Sequence, residues 1–230
     1  MSLVTSETKL SDIILNNDPS LLTVINRFGI TLGTGEKTIS TVCREMNLNP
    51  QFVGAIINTY INEEYFPEKM LSSFSPVTII EYLGKTNAYY EHFLIPNCER
   101  HFQLLLSRTS GNNNISLMMK FFDEVKQEIL ARTENDRMVL FPAIMNGKSA
   151  NCDGRQGITE KALRLDANIE DKISDLINMF VVHFSGDYDR NLGVAVFTAI
   201  SNLKRDIKQD NRIRNRILLP LYHNLSKEQR

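Results

Sequence analysis

The sequence predicts an all-α protein: a small N-terminal helical domain followed by an antiparallel four-helix bundle. Three observations predict it. Apolar residues recur at three- and four-residue steps through long windows, strand-like alternation is nearly absent, and the breaks between windows carry glycine, asparagine, serine and proline. At 230 residues the chain can form one large domain or two small ones, each with its own core.

The break between the two blocks lies near residues 66–76. Phe66-Pro67-Glu68-Lys69 ends one helical pattern. Ser75-Pro76 opens the next, with a serine N-cap and proline at the first helical position. The expected domains are therefore 1–66 and 75–225. In the first block, Leu10-Ser11-Asp12-Ile13-Ile14 starts a helix. Asp18-Pro19-Ser20 caps a second, which carries Leu22, Ile25 and Phe28 and stops at Gly29. A glycine-bearing turn, Thr31 to Lys37, leads into Thr38–Cys43, and Asn49-Pro50 opens a helix bearing Val53, Ile56, Ile57, Tyr60 and Ile61. Short helices of this kind suit a docking module and equally suit a generic small bundle.

The second block holds four longer amphipathic patterns, over about 76–108, 113–146, 158–184 and 190–224. Gly111-Asn112-Asn113, the loop from Gly147 to Gly157, and Ser185-Gly186-Asp187 join them. Four such helices with short polar connections read as an antiparallel bundle.

Composition narrows the function. Apolar residues make up 42% and charged residues 23%, in the ordinary globular range. A formal net charge of −1 supplies no global basic field for nucleic acid. The basic trio Arg212, Arg214 and Arg216 mixes inner and outer helix faces, which suits a solvated edge with one core arginine. Cys43, Cys98 and Cys152 are scattered, so the reading is idle thiols in a reducing compartment, neither a disulfide framework nor a zinc site. No apolar run nears the ~20 residues of a membrane span. The start Met1-Ser2-Leu3 lacks the features of a signal peptide, and a cytoplasmic protein is expected. Gly33-Thr34-Gly35-Glu36-Lys37 lacks phosphate-loop spacing. Of the four histidines, His92, His183 and His223 read as surface or helix-end residues. His101 alone can turn inward, and it has no histidine partner one turn away.

Bundles place metal sites in the core, with histidine and carboxylate one turn apart on facing helices. Polar residues on apolar faces are therefore the candidates. In the second long pattern, Phe121, Val125 and Leu140 mark a face that includes Arg132 and Asp136. In the fourth, Leu203, Ile207, Ile217 and Leu221 mark a face running through Asp210 and Arg214. In the third, Leu163, Ile173, Leu176 and Phe180 mark a face close to Asp166. The spacing is that of a ligand set, with the wrong chemistry. Two readings stand: an inward charge network, or solvent-facing pairs worth about 0.3–0.5 kcal/mol each.

The second block resembles a hemerythrin-like domain, and the chain from about residue 8 to 224 resembles the di-iron iron–sulfur-cluster repair family of the ScdA/RIC type. The matching text is Asn17-Asp18-Pro19-Ser20, Arg27-Phe28-Gly29-Ile30, Val139-Leu140-Phe141-Pro142 and Arg216-Ile217-Leu218-Leu219-Pro220. The resemblance implies a short N-terminal helical domain joined to a di-iron bundle. It places the family's H-x-x-x-E pairs on Arg132 and Asp136 and on Asp210 and Arg214, and its middle-helix histidine near Asp166. The histidine pair of its first helix falls on Asn87-Ala88, a further histidine near Arg108 or Thr109, and its adjacent cysteines on Gly33-Thr34. Arginine stays protonated and has no lone pair for a metal, so the family's iron chemistry is not expected here.

The expected function is a non-enzymatic regulatory, sensing or interaction module. It has no catalytic, cofactor-binding or metal-ligating residues and no cofactor, and Arg132, Asp136, Asp166, Asp210 and Arg214 form a core charge network in place of the metal. The expected partner is another protein or a second copy of the chain, with no membrane. Nucleic acid enters only through a further C-terminal domain, as in a transcriptional regulator. Leu225-Ser226-Lys227-Glu228-Gln229-Arg230 faintly resembles the opening of LuxR-type helix-turn-helix domains, but six residues are a short match and an ordinary frayed end is the favoured reading. The alternative is a di-iron protein for repair of iron–sulfur clusters.

Overall fold

The computed structural model describes residues 3–109, 114–146 and 157–228. The connections at 110–113 and 147–156, including Cys152, lie outside the described residues, as do the side chains at 157–165, 167 and 225–228. The described chain is helical, with one isolated antiparallel bridge between Lys9 and Thr38. No described helix is long and apolar enough to cross a membrane. Two compact units divide it, Met1–Lys85 and Thr86–Arg230.

The first unit contains α1 (Leu10–Leu15), α2 (Leu21–Arg27), α3 (Ile39–Glu45), α4 (Pro50–Ile61), α5 (Glu68–Leu71) and the start of α6 (Pro76–Tyr89). Local hydrogen bonds explain the boundaries. Asp18 Oδ1 accepts the Ser20 N–H at 2.8 Å ahead of α2. Gly29, at φ +79, makes the left-handed exit. The Thr38 hydroxyl accepts the Thr41 N–H at 3.2 Å, and Asn49 Oδ1 accepts from Gln51 and Phe52 at 2.9 and 3.1 Å. The Ser20 side chain does not cap α2. It is buried and accepts from the Tyr60 hydroxyl at 3.0 Å. Buried Asn58 bonds both the N–H and the carbonyl of Val4 at 2.8 Å, tying the N-terminal segment to α4. α4 is the unit's central helix, buried from Phe52 to Tyr60.

The sequence places the domain break before Pro76, and the structure moves it into α6. The cause is aromatic packing. Tyr82 stacks on Phe28 with centroids 5.2 Å apart and meets Phe52 edge-on at 6.0 Å. The first turns of α6 therefore belong to the first unit's core. The helix starts as its sequence suggests, with Ser75 Oγ accepting the Val77 N–H at 3.3 Å.

The second unit continues from α6 through α7 (Ile95–Ser107), α8 (Asn114–Asn135), α9 (Phe141–Met145), α10 (Gly157–His183), α11 (Arg190–Ile213) and α12 (Leu219–Glu228). α12 runs helically through Leu225-Ser226-Lys227-Glu228. Asp189 caps α11, accepting the Asn191 and Leu192 N–H groups at 3.0 and 3.2 Å. α7 packs on α11 and α8, and α10 packs on α8 and α11. Their shared core includes Cys98, Phe102, Ile115, Phe122, Ile173, Leu176, Val196 and Ile200, all fully buried. Each such large apolar side chain contributes about 1.5–3 kcal/mol by leaving water.

Among the described residues, three single π turns interrupt the long helices: π1 (Tyr90–Leu94), π2 (Asp136–Leu140) and π3 (Arg214–Leu218). Each is closed by a bond from the following residue to the turn's first carbonyl: Ile95 to Tyr90, Phe141 to Asp136, Leu219 to Arg214. Pro96, Pro142 and Pro220 follow at the same offset. Proline has no N–H for the carbonyl four residues back, and its ring collides with that carbonyl, so the helix accommodates one extra residue. The insertion rotates everything beyond it. After Arg214 a regular heptad would bury Leu221; Tyr222 is buried instead and Leu221 is half-buried.

Candidate functional site

The first residues of all three π turns point inward. Tyr90, Asp136 and Arg214 are 0%, 2% and 1% exposed. Arg132 lies one turn before Asp136 on α8, Asp210 one turn before Arg214 on α11, and Asp166 comes from α10. Their exposures are 0%, 4% and 1%. The structure thus brings together the five residues singled out on apolar faces, and it places none of them in solvent.

The pairing runs between helices. Arg132 Nη2 donates to Asp210 Oδ2 at 2.7 Å, while its Nη1 donates to Asn211 Oδ1 and reaches Asp166 Oδ1 at 3.4 Å. Arg214 takes Asp136 in a fork, with Nε 3.1 Å from both carboxylate oxygens and Nη2 2.7 Å from Oδ1. Its Nη1 donates to Asp166 Oδ2 at 2.5 Å. Asp166 therefore sits between two guanidinium groups, one on each oxygen. Charge-assisted, forked bonds of this kind are the strongest ordinary side-chain hydrogen bonds.

Burial alone would make both arginines easier to deprotonate. It is outweighed by Asp210 and Asp166 at Arg132, and by Asp136 and Asp166 at Arg214, so both are raised above the ordinary arginine value and stay cationic.

Sequence reasoning missed three participants, Asn211, Tyr90 and Asp206. Asn211 accepts from Arg132, donates to Glu170 Oε1 at 2.5 Å and reaches the Asp166 carbonyl at 3.4 Å. Tyr90 donates its hydroxyl to buried Asp206 at 3.3 Å, and the Arg132 guanidinium carbon lies 5.8 Å from its ring centroid. Two signals could have found Asn211 and Tyr90. Asn211 lies one helical turn beyond Ile207, on the same apolar face. Tyr90 shares with two cluster residues the place six positions before a proline: Tyr90 before Pro96, Asp136 before Pro142 and Arg214 before Pro220.

The remaining candidate positions do not join the cluster. Asn87 is buried but its Nδ2 finds no hydrogen-bond partner among the described residues, and Ala88 is exposed. Arg108 is exposed and pairs with Asp189 at 3.4 Å. His101 is half-buried; burial, then Arg100, pushes its imidazole below the ordinary histidine value. His92, His183 and His223 are exposed. In the first unit Gly33 has φ +89, a left-handed conformation that would strain a cysteine. Cys43 and Cys98 are buried, and burial pushes their thiols up to about 11 and about 12.

The residues do not fit the di-iron centre implied by the resemblance. At its positions two guanidinium groups occupy the carboxylates' lone pairs and offer none of their own. Among the described residues, no group of three or more histidine, cysteine, aspartate or glutamate side chains has the arrangement to hold a metal ion. No family model matches the chain, and no curated protein matches its sequence.

Proposed function

We propose that the chain is a non-enzymatic regulatory or interaction module. In this reading its second unit is an antiparallel, hemerythrin-like four-helix bundle, similar to that of the iron–sulfur-cluster repair family, with a charge network in place of the metal centre. The observation that carries it is Asp166 held between Arg132 and Arg214, at 3.4 and 2.5 Å, in the core. Groups that spend their hydrogen-bonding capacity on one another organise helices and leave little for a substrate. Opposed register supports the bundle: Lys126 pairs with Glu99 and Thr133 with Glu91, while Asn168 meets Glu128 and Lys172 reaches back to Glu124. The first unit serves as a docking domain for a protein partner or a second copy of the chain.

Iron loading tests this reading. Protein grown with added iron should carry no stoichiometric iron, zinc or manganese, and a chelator should leave its melting temperature unchanged. About two irons per chain, lost together with stability on chelation, would instead establish the repair-type centre. The docking role is tested by removing residues 1–66, which should abolish partner binding or dimerisation; unchanged binding would remove it.

A further inference from the structure

The outer sides of α10 and α11 carry side chains in matching order. Along α10, exposed Asp171 and Asp175 are followed by exposed Asn178 and then by Val181 and Val182. Read in the reverse direction, α11 carries half-buried Lys204, half-buried Ser201, then Phe197 and Val194. Val181, Val182 and Val194 are 64%, 68% and 66% exposed, so three branched apolar side chains stand in water at one end of this face.

Contacts on either side of the face fix how the two helices match. Phe180 meets Phe197 with ring centroids 6.5 Å apart, and Asn211 donates to Glu170 at 2.5 Å. Asp175 is therefore about level with Lys204, Asn178 with Ser201, and Val181 with Phe197. The acids and the base nevertheless do not pair within the chain. Among the described residues Asp171, Asp175 and Lys204 have no salt-bridge partner, and Lys172, between the two acids, turns to Glu124 and Glu128.

Symmetry supplies the missing partners. A two-fold axis along the helices lays α10 of one copy on α11 of the other and keeps every level. Acid then meets base, amide meets hydroxyl, and apolar end meets apolar end, each of them twice. A different protein would have to reproduce that order, whereas a second copy already carries it.

We propose that the outer face of α10 and α11 binds a second copy of the chain, with Asp171 and Asp175 on the second copy's Lys204 and Val181 on its Phe197 and Val194. This interface lies in the second unit and does not rest on the docking role of the first.

Sedimentation velocity of the full chain tests it. The chain should show a monomer–dimer equilibrium with a Kd of about 1–100 µM. Lys204→Glu alone, and Asp171→Lys with Asp175→Lys alone, should each raise that Kd about tenfold or more. Mixed one to one, these two variants should form a heterodimer about as tight as the unsubstituted dimer, because each then offers the charge the other needs. Val181→Glu should raise the Kd about tenfold with an unchanged melting temperature, since its site is exposed in the monomer. Met138→Glu, at an apolar position equally exposed elsewhere, should leave the dimer intact. A monomer at every concentration, a dimer that survives the α10 and α11 substitutions, or a mixture that stays monomeric would each overturn the proposal.

Discussion

Arg214 holds Asp136 through three contacts of 2.7–3.1 Å, although the two residues lie 78 positions apart on different helices. Neither has water as an alternative partner, since both are at least 98% buried. Arg214→Ala strands Asp136 and half of Asp166's pairing, and should cost about 3–5 kcal/mol in urea unfolding. Arg214→Lys should recover only part of that, because an ammonium cannot form the fork. A loss below about 1 kcal/mol for the alanine variant would show that these groups are solvated.

Salt separates this cluster from surface pairs. The destabilisation caused by Arg132→Ala should persist in about 1 M sodium chloride, where screening reaches down to about 3 Å in solvent but not into a dry core. Lys9 and Glu36, an exposed pair at 2.5 Å, provide the contrast. Lys9→Ala should leave stability unchanged within error at either salt concentration. Disappearance of the Arg132→Ala effect in salt would place its partners in water.

The buried thiols predict both reactivity and pH dependence. In a Cys152→Ser background, iodoacetamide at pH 8 should label neither Cys43 nor Cys98 until the protein unfolds. Their folded values, about 11 and about 12, lie above the ordinary value of 9.0. Above pH 9 the unfolded chain releases these protons while the folded chain keeps them, so stability should fall as pH rises from 9 towards 11–12. Below pH 9 the thiols contribute no slope. Rapid native labelling of either cysteine at pH 8 would contradict this account.

Pro220 gives a test of the π turns. On propensity alone, alanine in place of an interior helical proline gains about 3 kcal/mol. Arg214 before the turn and Tyr222 beyond it are both buried, so packing on either side holds the extra residue. Pro220→Ala should therefore gain less than about 1 kcal/mol in thermal or urea unfolding. The full gain would show that proline alone imposes the turn.

Helical periodicity was readable from the chain, and so was the one-turn spacing that puts Arg132 with Asp136 and Asp210 with Arg214. Phase was less readable. The apolar face of α8 runs through Phe122, fully buried, while Phe121 is only half-buried. Phe93 would face inward in a regular helix, and after Tyr90 the π turn leaves it 66% exposed. A single inserted residue changes no composition and no propensity, so only the recurring proline offset marks it. Asn211 lies on the Ile207 face, but its uncharged amide falls on no ligand-set position and forms no ion pair, so the charge pattern does not mark it. The domain break moved because Tyr82 contributes to a core assembled from Phe28 and Phe52, contacts that no local pattern encodes.

The sequence separations within the charge cluster also bear on how the chain reaches its native state. Arg132 lies 34 residues from Asp166 and 78 from Asp210, and Arg214 lies 48 from Asp166. None of these bonds forms within one helix, so loop closure must come first. A helix pair docked without the third and fourth would bury ions that still lack partners, which keeps partial assemblies high in energy. The cluster is therefore expected to close late, after the apolar layers around Phe102 and Phe122 have met. Contacts made after the folding barrier slow unfolding more than they speed folding. The network acts as a latch on the assembled helices, and its removal should appear chiefly as a faster unfolding limb.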